Sequence, residues 1–547
     1  MPIQADGNAR GDGCVIRKIV IQNYRKFRTL DVDMLPGTNI LVGSNDSGKS
    51  TLIEAINLAL TGKINGRILA QELSPYYVNL DATAQYVQEL QSNPRAIPPV
   101  IIIEVYLEDG GEAEILRGTN NLLGEDACGI RIQAKLSPDF EEEYRSFVAN
   151  PGGVRLVPTE YYRVDWFGFS GNGVTARSVP ATASVVDPSS VRLQSGVDHH
   201  MQQIIRTHLD PKERVELSRQ YRSLRETFSE QDAVKAINEK LKDDSESLTQ
   251  RALSLAIDIS QRYTWENGLV AHLDDLPFQF VSKGEQSALK TVLAVGRKAD
   301  GAQIVLIEEP EAHLSFAHLR LLMNRIEAQC EGKQVIVATH SNFVLNKLGL
   351  QNMILLGEDG AYTRITDMPE STVDYFKKLA GFDTLRMVLA KGAILVEGPS
   401  DELIVQRGYL DAKGKLPIDD GIDVISVGLS HKRFLDLAVR LKRRVWVVTD
   451  NDGKTAEEVN QRFADYTCFD FVSIHTGNDP ACRTLEPQFV ASNDLATLNA
   501  VLGDNYGSKD EAVEAMTADK TGAALAIFES NTAINMPEYI TEVFDAE

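Results

Sequence analysis

The stretch ILVGSNDSGKST, Ile40 to Thr51, decides how the chain is read. Three apolar β-formers run into the pattern G-x-x-x-x-G-K-[ST], and the apolar spacing from Ser50 to Leu60 is that of a helix. A strand, a glycine loop and a helix in this order turn backbone N–H groups toward a phosphate chain at a helix N-terminus. Gly43, Asn45, Ser47, Gly48, Lys49, Ser50 and Thr51 form the candidate cradle. Lys49 would reach the β- and γ-phosphates of ATP, and Ser50 would hold Mg²⁺. An incidental Gly/Ser turn is the bland alternative, and the flanking strand and helix argue against it.

Two later strands carry matching chemistry. IVLIEEPEAHLS, Ile304 to Ser315, delivers Glu308 and Glu309 directly after a four-residue apolar run. Glu308 would bind Mg²⁺ directly or through water, and Glu309 would orient or deprotonate the attacking water. QVIVATHS, Gln334 to Ser341, ends in His340, placed to contact a γ-phosphate. Between these and the first loop lies VSKGEQSALKTVLAV, Val281 to Val295, where Ser282, Gly284, Glu285 and Gln286 open an apolar helix. This segment resembles the ABC signature in the form seen in SMC-like and RecF-like ATPases. The resemblance implies that the signature of one subunit caps ATP held by the P-loop of another, hence a homodimer joined through the ATPase domain. Ser282 at a helix N-terminus is a second anion site with no phosphate of its own to serve. The family also carries a glutamine that senses Mg²⁺; Gln71 and Gln85 are both candidates. IVIQNYRKFRTL, Ile19 to Leu30, is similar to the first hairpin of such ATPases, with Arg25 either near the nucleotide or in a solvated turn.

A second constellation begins at GAILVEGPSDELIV, Gly392 to Val405. The strand Ala393 to Val396 presents Glu397 at its C-terminal end, and Asp401 enters the first turn of the next helix. RRVWVVTDNDG repeats the arrangement, with Val445 to Val448 followed by Asp450 and Asp452. In extended chain, residues i and i+2 share a face, so these two carboxylates are expected to converge. Ligand sites in open parallel sheets lie at the carboxyl ends of strands, so the four carboxylates would form a hard-oxygen cluster for Mg²⁺ or Mn²⁺. Asp423 to Val427, followed by Gly428, suits a third strand edge.

A glutamate followed by a D-x-D pair resembles the Toprim fold of topoisomerases, primases and related nucleases. An ABC-type ATPase joined to a C-terminal Toprim resembles the OLD (overcoming lysogenization defect) nucleases over nearly the whole chain. That resemblance implies two more active-site residues: Glu486 in RTLEP, helping to bind metal, and Lys520 in DKTGAAL, stabilising charge at the scissile phosphate. Without it, Lys520 reads as a surface salt-bridging lysine. It further implies DNA cleavage by a two-metal arrangement. Glu397 with Asp450 or Asp452 would sit on one ion, and Asp401 with Glu486 on the other, ATP binding gating the site. Family members act in defence against phage, sometimes with a helicase or a reverse transcriptase with its DNA. Cleavage of RNA, a topoisomerase-like reaction and a noncatalytic ATP-driven clamp are the competing readings.

The expected architecture is α/β throughout. An ABC-type ATPase half (1–209) precedes a helical insertion or dimerisation arm (210–265), which is charged, lacks glycine and shows helical apolar spacing. The second ATPase half (266–388) leads into a Rossmann-like Toprim domain (389–547). The Ser/Gly/Pro/Thr-rich residues 170–198 read as a long connection. With 43% hydrophobic and 24% charged residues, the chain suits a soluble globular class. No apolar run reaches membrane-spanning length, and the polar N-terminus lacks a signal-peptide core, so the expected location is cytoplasmic. Five scattered cysteines without a C-x-x-C pair argue against both a zinc site and a disulfide framework. The net charge of −22 argues against a simple DNA-coating protein. From Lys391 onward, 15 Lys and Arg stand against 27 Asp and Glu, so nucleic acid must be met by local basic groups or through metal ions.

Overall fold

The computed structural model describes residues 15–64, 66–93, 95–149, 151–186, 193–194, 197–198, 209–245, 270–296, 303–357, 360–365, 368–378 and 384–545. Three sheets organise them. The first opens with the hairpin β1 (Ile16–Tyr24) and β2 (Phe27–Asp33), which turns at Arg25. β1 pairs antiparallel with β4 (Ile101–Leu107), β4 with β5 (Ala127–Leu136), and β5 with β6 (Tyr162–Gly168).

The second sheet holds the phosphate loop. Its centre is β3 (Thr38–Val42), which feeds helix α1 (Lys49–Thr61). Across it run β7 (Ala183–Val186), β8 (Ile304–Glu308), β9 (Gln334–Ala338), β3, β10 (Met353–Leu356) and β11 (Tyr362–Arg364), in that order. All neighbours are parallel except β10 and β11. Strand β7 corrects the expectation of a plain connection over 170–198. Its backbone groups pair with β8 from Ala183 opposite Ile304 to Val186 opposite Ile307.

Alternation along β3 assigns its two faces. Leu41 packs with Leu52 and Ile56 of α1 and with Ile19 and Ile103 of the first sheet, so α1 lies between two sheets. Ile40 and Val42 face the opposite core. That core also receives α6 (Phe316–Gln329), α7 (Asn342–Leu348) and α8 (Glu370–Lys378). In the segment expected to form a helical insertion, the chain runs as α3 (Pro211–Ser229) and α4 (Asp232–Ser245); its remainder, 246–265, lies outside the described residues. Helix α2 (Leu80–Ser92) carries Gln85, and α5 (Lys283–Gly296) follows Ser282.

The third sheet is fully parallel in the order β13 (Ile422–Ser426), β12 (Gly392–Val396), β14 (Arg444–Val448), β15 (Val472–His475). Ala393 and Leu395 of β12 join the same core as Ile40 and Val42, whereas Ile394 and Val396 face a separate C-terminal core. One apolar core therefore runs from the phosphate-loop sheet into the third sheet, through Phe376 stacked edge-on against Phe434 of α11 (His431–Leu441) at 5.2 Å. Polar bonds cross the same joint. The Thr384 hydroxyl, at the start of α9 (Thr384–Leu389), donates to Asn346 at 2.8 Å, and Leu385 N–H donates to Asn342 at 2.7 Å. No helix of the described residues is long and apolar enough to cross a membrane. Cys128, Cys330, Cys468 and Cys482 are free thiols.

Candidate functional site

Two sites emerge, one on each parallel sheet. At the first, register aligns Glu308 with Ala338 and Ala338 with Leu41, so three strands end together beside the loop Gly43–Ser50. The loop needs its glycines. A Cβ at Gly43 would lie 2.3 Å from Ser47 Oγ, and one at Gly48, where φ is 97°, would meet the Phe27 ring at 2.5 Å. Lys49 is buried, and its ammonium donates to the Gly43 and Ser44 carbonyls at 3.0 Å each. Burial draws its pKa down, opposed by the carboxylates of Glu309 and Glu311. Ser47 Oγ is buried without a hydrogen-bond partner. An orphaned hydroxyl, a lysine turned onto its own carbonyls and a cradle closed to any Cβ suit a phosphate chain. Asn45 and Ser50 are exposed at the mouth, and Thr51 is half-buried.

Glu309 stands at φ 38°, a backbone conformation rare for a non-glycine residue and found chiefly at functional sites. Its N–H donates to Ala338 O at 2.8 Å, tying the end of β8 to β9. His340 is exposed beyond β9. Glu311, missed in the sequence, holds this corner: it accepts from His340 N–H at 2.7 Å and from the Thr339 hydroxyl at 2.8 Å. Nothing local separates it from a loop carboxylate, because its partners come from another strand. Ser282 and Glu285 are exposed, and the Ser282 hydroxyl donates to Glu285 at 2.9 Å. Gly284 lies over the loop after β8, where a Cβ would meet His313 O at 2.6 Å. Ser287 donates to Ala312 O at 3.0 Å, so the signature segment is backed by the loop that follows Glu308 and Glu309. Gln71 and Gln85 are both exposed, and Gln85 accepts from Arg28. Arg25 pairs with Glu54 of α1 at 2.9 Å and lies over the Tyr77 ring, so it braces α1 instead of sitting in a solvated turn.

The second site lies at the carboxyl ends of β12 and β14. Leu395 is level with Val447, which sets Glu397 beside the residues leaving β14. Glu397 Oε1 accepts from the Thr449 hydroxyl at 2.6 Å and from Asp450 N–H at 3.2 Å. From the other neighbour, Gly428 N–H donates to Glu397 O at 3.1 Å, so the third strand edge is present. Asp401 sits in the first turn of α10 (Pro399–Lys413) and accepts from Gly398 N–H at 2.7 Å. Glu486 is buried on α12 (Leu485–Ser492), where it accepts from Thr484 at 2.6 Å and pairs with Lys520 at 2.8 Å. Lys520 is the first residue of α13 (Lys520–Glu529). Helix α13 is locked to α10 by Arg407, which donates to Ile527 O at 2.7 Å and to Asp411 at 2.9 Å.

Electrostatics join these groups. Burial raises Asp450 to about 8, reinforced by Glu397, Asp401 and Glu486 and opposed by Lys520. Burial raises Asp401 to about 6, with Glu397 and Glu486 adding to the shift. Burial would also raise Glu486, but hydrogen bonds from Lys520 and Thr484 bring it below its ordinary value. Lys520 is raised, its burial outweighed by Glu486, Asp450 and Asp401. Glu397, Asp401, Asp450, Glu486 and Lys520 are thus brought together.

Asp452 is not gathered in the expected way. The chain after Asp450 is a turn, with φ 52° at Asp452 and 79° at Gly453, and the Asp452 carboxylate is exposed and pairs with Arg462 at 3.6 Å. Asn451, between the two aspartates, causes the turn. It is fully buried, donates to the carbonyls of Gly477, Asp479 and Cys482, and accepts from Gly453 N–H at 2.8 Å. Among the described residues no three His, Cys, Asp or Glu side chains already converge closely enough to grip a metal ion. The donor set nevertheless fits a hard divalent cation in kind: four carboxylates repel one another here, and a cation would relieve that repulsion.

Comparisons with known proteins agree with this division. Residues 388–452 match the family model "Overcoming lysogenization defect protein-like, TOPRIM domain". Residues 18–138 match the family model "AAA domain", and residues 191–346 match "AAA domain, putative AbiEii toxin, Type IV TA system". The DNA replication and repair protein RecF of Vibrio campbellii is 32% identical over 69 residues, 12% of this chain and 19% of that protein. RecF of an Exiguobacterium species is 30% identical over 88 residues, 15% of this chain and 24% of that protein. The chain thus spans about a fifth of the length of the curated relatives it matches. Among solved structures, the SMC head domain from Thermotoga maritima is 13% identical, with a TM-score of 0.29 over 64% of this chain and 100% of that one. A RecF–ATP structure from the RecFOR pathway is 11% identical, with a TM-score of 0.34 over 64% of this chain and 99% of that one. These superpositions are loose, and the sheet orders and family models define the fold.

Proposed function

Starting from a chain that joins an ABC/SMC-head-like P-loop ATPase fold to an OLD-like TOPRIM domain, we propose an ATP-regulated, divalent-metal-dependent endonuclease that cleaves DNA phosphodiester bonds. The observation that carries this reading is the contact between adjacent parallel strands, where Asp450 N–H donates to Glu397 at 3.2 Å. Carboxylates from separate strands crowd one sheet edge, a costly arrangement for folding alone.

Glu397, Asp401, Asp450 and Glu486 are the residues to hold Mg²⁺ or Mn²⁺, which when bound would lower the pKa of water and neutralise phosphate charge. Thr449 aims Glu397 by its hydrogen bond. Lys520, half-exposed above Glu486, offers an ammonium to the charge that grows on the scissile phosphate. Joining the cluster would require Asp452 to release Arg462. At the other site, Lys49 and the loop amides would hold the phosphates of ATP, Ser50 and Glu308 its Mg²⁺, and Glu309 the attacking water, with His340 toward the γ-phosphate. Ser282 and Glu285, both exposed, with Gly284 between them against the loop after β8, support capping of a second subunit's ATP in a homodimer. A role in phage defence, with or without a partner protein, follows only from the OLD-like TOPRIM match.

Plasmid DNA, linear DNA and RNA incubated with purified protein, with and without ATP and Mg²⁺, test the reading. Metal-dependent cutting of DNA is expected. Cutting of RNA alone would make the protein a ribonuclease, and no cutting of any substrate would leave an ATPase.

A further inference from the structure

Beside the turn Asp450–Gly453 lies an arginine that nothing above uses. Arg483 is exposed three residues before Glu486, and Asp452 N–H donates to its carbonyl at 3.2 Å. Its side chain lies across Gly453: a Cβ there would stand 3.2 Å from Arg483 Nε. The backbone around it is pinned, because the buried Asn451 amide donates to the preceding carbonyl, Cys482 O, at 3.1 Å. The guanidinium has no acidic partner among the described residues. This is unusual in so acidic a domain, especially with Asp452 on the adjoining turn. Asp452 is taken by Arg462 instead. Lys454, exposed on the same turn, is likewise without an acidic partner among the described residues. Two unneutralised cations are therefore held beside the turn that leaves Asp450, on two adjoining loops that the buried Asn451 amide ties together. A guanidinium presents a rigid fork of donors matched to phosphate oxygens.

We infer that Arg483, with Lys454, is a phosphate clamp that holds the DNA backbone against the carboxylate edge. The inference rests on the nuclease reading and extends it to how an acidic protein engages a polyanion. Arg483 binds and positions; it takes no part in bond breaking.

The test uses the full chain with a fluorescein-labelled DNA duplex, in Ca²⁺ to follow binding and in Mg²⁺ to follow cutting. Arg483→Gln is expected to bind about tenfold more weakly, the loss of one charge-assisted contact. Its plot of log affinity against log salt should be shallower by about one. Arg483→Lys should keep the wild-type slope, and neither variant should change the melting temperature or ATP hydrolysis. Wild-type affinity and slope in Arg483→Gln overturn the inference while leaving the nuclease reading standing. So does parallel loss of binding and melting temperature in both variants, which marks a structural arginine. An Arg483-dependent slope with RNA but not DNA overturns the DNA assignment. A wild-type protein that neither binds nor cuts DNA overturns both readings.

Discussion

Lys520 Nζ lies 2.8 Å from Glu486 Oε1, joining the first turn of one C-terminal helix to a buried carboxylate on another. The pair gives an acidic edge an ion-paired cation, and it keeps Glu486 ionised despite burial. Lys520→Met should therefore lower DNA cleavage about a hundredfold, the scale of losing one donor to developing charge. ATP hydrolysis, measured on the same preparation, should be unchanged.

The raised carboxylates make a statement about stability. Asp450, at about 8, and Asp401, at about 6, bind protons in the folded chain at pH values where the unfolded chain has released them. Between the ordinary carboxylate range and those values the folded state holds more protons, so stability falls as pH rises. The contribution is complete near pH 4 and is lost by about pH 8 for Asp450. The metal-free protein should melt at a lower temperature at pH 8 than at pH 5, and Mg²⁺ should recover part of the loss. Asp450→Asn should flatten the profile and melt higher than wild type at pH 8 without metal. Thermal scans across pH check all three.

At the phosphate loop, Lys49→Ala should abolish ATP hydrolysis and with it any effect of ATP on cleavage. Glu309→Gln should keep nucleotide binding and lose hydrolysis about a hundredfold or more, the usual cost of removing a general base. Equilibrium binding of a fluorescent ATP analogue beside phosphate release separates the two.

Arg407 is the bolt between α10, which carries Asp401, and α13, which carries Lys520. Arg407→Met removes bonds to Asp411, Ile527, Phe528, Ser530 and Thr532. At about 1 kcal/mol for each net hydrogen bond, the cost should be roughly 2–4 kcal/mol. Denaturant titration gives that number, and cleavage should fall with it because Asp401 and Lys520 lose their relative position.

The strands that carry both sites were legible because each is an apolar run closed by chemistry of another kind. β3 is followed by Gly43, β8 closes on Glu308, β12 is followed by Glu397, and β14 by Thr449 and Asp450. What stayed hidden depends on partners distant in sequence. β7 sits in a Ser- and Pro-rich stretch and becomes a strand only because β8 supplies its hydrogen bonds. Asp450 and Asp452 look like an extended pair until Asn451, bound to three carbonyls of another loop, bends them apart. Thr449, Glu311 and Arg407 reveal their roles only through residues that approach from elsewhere in the fold.

The most direct measurement is plasmid cleavage by Asp450→Asn in Mg²⁺ or Mn²⁺, scored beside ATP hydrolysis by the same variant. The account predicts that cutting disappears while ATP turnover continues at the wild-type rate. Wild-type cutting by this variant would contradict it, since the strand edge shared by Glu397 and Asp450 would then not be where DNA is cleaved.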